Sequence, residues 1–76
     1  MDVTVYTTPT CLYCHQLKQF LDEKNVAYSE IDVSRDREAA QYIVEATGQM
    51  GVPVTRVDDR FILGFAKDTL ADILGV

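Results

Sequence analysis

Apolar and polar positions along the chain follow two alternating periods. Val3 and Val5, with the β-branched Thr4 and Thr7 beside them, read as a first strand running to about Thr8, where Pro9 ends it. From about Leu12 to Lys24 the period lengthens. Leu17, Phe20 and Leu21 recur at helical spacing, Cys14 carries the same stripe one turn back, and Asn25 is a suitable stop. Residues 26–33, VAYSEIDV, read as a second strand whose apolar phase slips between Tyr28 and Ile31, as in an edge strand or a bulge. Ser34 is placed to cap a second helix, with Asp36 and Glu38 in its first turn. Ala39, Ile43 and Ala46 would be its inner face, and Gly48 would end it in the left-handed conformation. PVTRV and RFIL form a hairpin with a tight turn at Asp58-Asp59. A last helix from about Lys67 to Leu74 turns Leu70, Ile73 and Leu74 inward.

The element order is therefore β-α-β-α-β-β-α. A right-handed crossover makes the first two strands parallel, and the hairpin lies antiparallel beside them. This predicts an α/β domain over residues 1–76, a four-stranded mixed sheet with helices on both faces. At 76 residues the chain hides only roughly 60 to 65% of the surface it exposes unfolded. Almost all apolar residues must enter one core, so an active site belongs at the surface. No linker, repeat or low-complexity stretch interrupts the chain.

Charge narrows the function classes. The net charge is −5, from 7 Lys+Arg against 12 Asp+Glu, and the basic residues are scattered. An acidic chain without a basic stripe argues against nucleic acid as a partner, because phosphate contacts dominate that affinity. It argues equally against an anionic membrane. The start, MDVTVYTT, lacks the basic-then-apolar pattern of a secretory signal, and no apolar run approaches the ~20 residues of a membrane span. A cytoplasmic protein is the expectation. In a reducing cytosol a cysteine pair is more often catalytic or metal-binding than a permanent disulfide.

Cys11 and Cys14, the only cysteines, lie in TPTCLYCHQL where a helix begins. Zinc needs four ligands. The chain offers two cysteines and His15, which points about 100° away from Cys14 around the helix, so no metal site is predicted within one chain. A structural staple over so short a loop contributes only about 2 kcal/mol. The redox reading uses every feature. Residues at i and i+3 of a helix have Cβ atoms about 5–6 Å apart, within reach of a disulfide after small adjustment. Cys11, just before the first turn, meets unpaired N–H groups and the positive end of the helix dipole, which favour a thiolate nucleophile. Cys14, on the apolar stripe, is the more buried and resolving thiol.

Cys-x-x-Cys after a strand in a βαβ setting is a thioredoxin-like redox signal. Beyond it, VTVYTTPTCLYC, HQLKQFL, YSEIDV, GQMGVPV and LGF together resemble the glutaredoxin family along nearly the whole chain. The likeness is to the small bacterial and archaeal glutaredoxin-like proteins that shade into the NrdH-redoxins, and it implies a thioredoxin fold. It also implies a cis Val52-Pro53 bond facing the cysteines, with the Val52 backbone pairing an extended segment of the partner and Gly51 keeping that approach open. Tyr13 is expected to stand exposed beside the pair. Leu12, Phe65 and Asp68 complete the candidate substrate-binding set, Asp68 at a helix entry able to hold a carboxylate.

Three departures bear on the electron source. Leu12 stands where glutathione-using members commonly have proline, Thr7 and Thr8 stand where a lysine is frequent, and LGFAKD replaces the Gly-Gly and Cys-Asp-Asp context that helps hold glutathione. The expectation is a monomeric dithiol–disulfide oxidoreductase without a bound cofactor. It would reduce a disulfide-containing substrate protein, with ribonucleotide reductase a candidate, using electrons from a thioredoxin reductase-type flavoenzyme or from glutathione. Two alternatives stand beside it: a glutathione-dependent glutaredoxin, and a dimer that carries an iron–sulfur cluster on its thiolates.

Overall fold

Strand β1 (Val3–Thr7) is central, and the remaining elements are arranged around it. A computed structural model describes residues 2–49 and 51–76. After β1 come α1 (Leu12–Glu23), β2 (Ser29–Asp32), α2 (Arg37–Thr47), β3 (Val54–Val57), β4 (Arg60–Leu63) and α3 (Lys67–Leu74). The strands lie side by side in the order β2-β1-β3-β4. β1 runs parallel to β2 and antiparallel to β3, and β3 antiparallel to β4.

The pleat divides the core in two. Val3 and Val5 of β1, Val57 of β3 and Ile62 of β4 face α1 and α3, where Leu17, Phe20, Leu21 and Leu70 meet them. Tyr6 and Val54 point the other way, to Ile43 of α2. Leu17, Leu21 and Leu70 are wholly buried, so truncating any of them to alanine is expected to cost about 2–5 kcal/mol. On the larger core the buried Thr55 Oγ1 has no hydrogen-bond partner among the described residues.

Helix α1 ends as its sequence implies. Asn25 adopts φ +58°, while Val26 N–H donates to Leu21 O at 2.9 Å and Asn25 N–H to Asp22 O at 3.1 Å, the paired bonds of a Schellman turn. Gly48, at φ +74°, closes α2 in the left-handed region. Arg60 pairs with Val57 across the two-residue turn Asp58-Asp59, with Asp58 at φ +53°.

Three local expectations are corrected. Asp36, not Ser34, caps α2, its carboxylate accepting the Ala39 N–H at 3.0 Å. Ser34 is drawn into the preceding turn, where Asp32 Oδ1 accepts both its amide and its hydroxyl. Ala46 is exposed, because the inward stripe of α2 is rotated toward Ala40, Ile43, Val44 and Thr47. The second strand spans only Ser29–Asp32 and lies at the sheet edge without a break in its pairing to β1. Its apolar phase slips because Tyr28 packs on the α1 side and Ile31 on the α2 side. Glu30 fills the position facing α1.

Candidate active site

Strand β1 delivers the chain to the N-terminus of α1. Cys11 is the N-cap residue, extended at φ −92°, ψ 114°. Its Sγ accepts the Cys14 N–H at 3.1 Å, where Ser or Asp would place an oxygen. Its carbonyl accepts the His15 N–H at 3.3 Å. The two cysteines are free thiols, Cys11 partly exposed and Cys14 completely buried. Burial is the largest cause that pushes the Cys14 thiol up to about 12. The bond with Cys11 adds to it, while the Thr8 backbone and the Lys18 ammonium act in the opposite sense.

Leu12 and Tyr13, between the cysteines, are 66% and 62% exposed and form an apolar rim beside Cys11. The opposite rim comes from the loop before β3. Val52-Pro53 is cis, as the family resemblance implies, and the Cys11 thiol lies 3.8 Å from Val52 O. Pro53 is buried, and its carbonyl accepts the Gly64 N–H at 2.8 Å, which ties this loop to the end of β4. Next to Val52 an apolar cavity of about 250 Å³ is lined by Thr8, Val33, Ile43, Val44, Gly51 and Val52, among others. A larger cavity, about 450 Å³ and polar, lies at the other end of β1 around Asp2, Arg56 and Asp58.

Cys11, Cys14, Leu12, Tyr13, Val52 and Pro53 are thus assembled in one place. Phe65 instead packs edge-on against Phe20, ring centres 6.1 Å apart, at the margin of the larger core. Asp68 is exposed in the first turn of α3, which starts at Ala66 without a side-chain cap. His15 is exposed, its Nε2 3.2 Å from Pro9 O.

These features place a partly exposed sulfur at a helix N-terminus, a buried sulfur one turn on, and a cis-proline loop opposite. The glutaredoxin family profile matches residues 3–62. The chain belongs to the glutaredoxin family. Among its relatives, the Gene 56 protein of Mycobacterium phage D29 is 36% identical over 74 residues, covering 95% of this chain and 81% of that protein. The glutaredoxin-like protein NrdH of Lactococcus lactis subsp. cremoris is 32% identical, covering 93% and 97%. The solved structure of NrdH-redoxin from Escherichia coli, a glutaredoxin-like protein with a thioredoxin-like activity profile, superposes with a TM-score of 0.87 at 30% identity, covering 96% and 95%. This glutaredoxin-family chain therefore has the thioredoxin-like fold its sequence predicts and stands close to NrdH.

One cluster in this glutaredoxin was not singled out in the sequence. Glu30 Oε2 accepts from Lys18 Nζ at 2.8 Å and from the buried Thr7 hydroxyl at 2.9 Å. Two signals pointed to it: a carboxylate on the α1 face of β2, and a lysine one turn after Cys14.

Proposed function

We propose that this glutaredoxin-family protein is a dithiol–disulfide oxidoreductase acting on protein disulfides. Cys11 thiolate attacks one sulfur of a partner's disulfide; the Cys11–partner bond forms, and the partner's second sulfur leaves and takes up a proton. Cys14 then gives up its proton and attacks Cys11. The Cys11–Cys14 bond forms, the partner's first sulfur leaves as a thiol, and two electrons have passed to the partner. The observation that carries this reading is the Cys11 sulfur serving as the cap of α1 with a buried Cys14 directly behind it. The Val52 backbone opposite Cys11 suits an extended partner strand, and the apolar cavity beside Val52 suits a side chain flanking the partner's cysteine. The fold needs no bound cofactor for this exchange. The likeness to NrdH makes ribonucleotide reductase the candidate substrate.

The electron donor is a thioredoxin reductase-type flavoenzyme rather than glutathione. Thr7 and Thr8 hold the positions where a glutathione-binding lysine is frequent, and LGFAKD stands in place of the usual Gly-Gly and Cys-Asp-Asp context after the hairpin. Thr7 is committed to Glu30. Two missing charged contacts of about 1.5–3 kcal/mol each weaken glutathione binding by roughly two to four powers of ten. NADPH oxidation with insulin as substrate tests the assignment. Turnover with thioredoxin reductase should exceed turnover with glutathione plus glutathione reductase. Efficient turnover with glutathione, and none with thioredoxin reductase, would establish the glutathione-dependent reading instead.

A further inference from the structure

Buried thiols make poor nucleophiles, and Cys14 is fully buried with its thiol pushed up to about 12, chiefly by that burial. The exchange nevertheless requires it to attack as a thiolate. A polar cluster lies on the α1 side of the sheet, the face that the helix carrying Cys14 covers. Lys18 lies four residues after Cys14 on α1, and such pairs are neighbours on one helix face, with Cβ atoms about 5–6 Å apart. Helical side chains lean toward the N-terminus, which for a residue at position 18 is the turn that carries Cys14. The Lys18 ammonium does not swing free. Glu30 on β2 takes it at 2.8 Å, and Thr7, the last residue of β1 and 2% exposed, fixes the same carboxylate oxygen at 2.9 Å.

We propose that Lys18, held by Glu30 and Thr7, is a positioning residue for the resolving step: its fixed positive charge stabilises the Cys14 thiolate as that sulfur attacks the mixed disulfide at Cys11. This rests on the dithiol reading above. The step balances. The Cys14 proton passes to solvent, the Cys11–Cys14 bond forms as the Cys11–partner bond breaks, and the departing partner thiolate takes up a proton.

The charges around the cluster fit this role. Cys14 is faced by Cys11 from the helix cap, by the Thr8 backbone from the preceding loop and by Lys18 from its own helix. Of the two ion-pair partners it is Lys18 that draws the Cys14 thiol back down. Tyr28 also faces Lys18, but burial first and Asp22 next hold its phenol protonated. Hydrogen bonding to Lys18 first keeps the Glu30 carboxyl below the usual range against burial and Asp32, and the same bond raises Lys18. The pair therefore stays charged at neutral pH.

The test separates the two sulfurs kinetically. Reduced protein mixed with one equivalent of Ellman's reagent releases a first aromatic thiolate when Cys11 attacks and a second when Cys14 resolves. In Lys18→Met the first release should keep its rate. If Cys14 becomes one pKa unit less acidic, its thiolate fraction falls tenfold. The more basic thiolate is more nucleophilic, with a Brønsted slope of about 0.4–0.5, so the second release slows roughly threefold at neutral pH. Its pH profile moves upward, and Lys18→Arg restores both. An unchanged second phase and profile in Lys18→Met, or an equal slowing of both phases, would overturn the role of Lys18. A wild-type protein that releases only one equivalent would overturn the dithiol reading itself.

Discussion

At the start of α1, Cys11 Sγ accepts the Cys14 amide at 3.1 Å; at the start of α2, Asp36 Oδ1 accepts the Ala39 amide at 3.0 Å. Both caps are extended residues that satisfy the third amide of their helix. The surroundings differ. The first turn of α2 adds the acidic Glu38, and its cap is an exposed carboxylate. The first turn of α1 contains no acid, exposes Leu12 and Tyr13, and sets its cap atom opposite Val52 O. The same local geometry places a carboxylate at the cap of one helix and a partly exposed thiol at the cap of the other. At α1 the acceptor is the very sulfur that the proposed exchange uses as its nucleophile.

Substituting the two caps separates those roles. Cys11→Ser should leave no measurable disulfide reduction, since a hydroxyl cannot replace the thiolate. It should change stability little, because serine is a good N-cap; chemical denaturation of the same sample checks this.

The buried thiol behind Cys11 gives the next largest effect. The folded state holds the Cys14 proton up to about 12, above the ordinary thiol value of 9.0. Between those values the unfolded chain has released a proton that the folded chain still binds. The Cys14 contribution to stability is therefore fully present below pH 9 and is lost as pH rises toward 12, by about 1.4 kcal/mol per unit. Denaturant midpoints of reduced wild type should fall more steeply over this window than those of Cys14→Ala. Parallel curves would show that the burial of Cys14 does not govern its protonation.

Asp36→Ala should cost about 1 kcal/mol of stability, seen as a fall in Tm of about 4–8 °C, with reduction of insulin unchanged. A loss of activity would show that the α2 cap is not independent of the site. The smallest effect comes from giving α1 the acid it lacks. A carboxylate in the first turn competes with the Cys11 thiolate for the helix end, an interaction of about 0.3–1 kcal/mol. Tyr13→Glu should therefore attack disulfides two- to fivefold more slowly than the neutral control Tyr13→Gln.

The contrast between the two caps also marks what the sequence made legible. Element order, the parallel crossover, the hairpin and the Asn25 stop all rest on local periodicity or on one residue's backbone preference. The difference in burial between Cys11 and Cys14 follows from their i, i+3 spacing at a helix start. Ser34 misled because two good caps, Ser34 and Asp36, stand two residues apart, and only the Asp32 side chain decides between them. The phase slip in β2 was visible but not its reason, since Glu30 answers to Lys18 and Thr7, 12 and 23 residues away. The approach of Val52 O to Cys11 spans 41 residues and was anticipated only through family resemblance.

The central claim is that Cys11 attacks and Cys14 resolves. Its most direct measurement is mass spectrometry of the adducts that Cys11→Ser and Cys14→Ser each form with a disulfide substrate at neutral pH. The account predicts that Cys14→Ser accumulates a mixed disulfide at Cys11 and that Cys11→Ser forms none. A stable adduct at Cys14 in the Cys11→Ser protein, with none at Cys11 in the other, would contradict it.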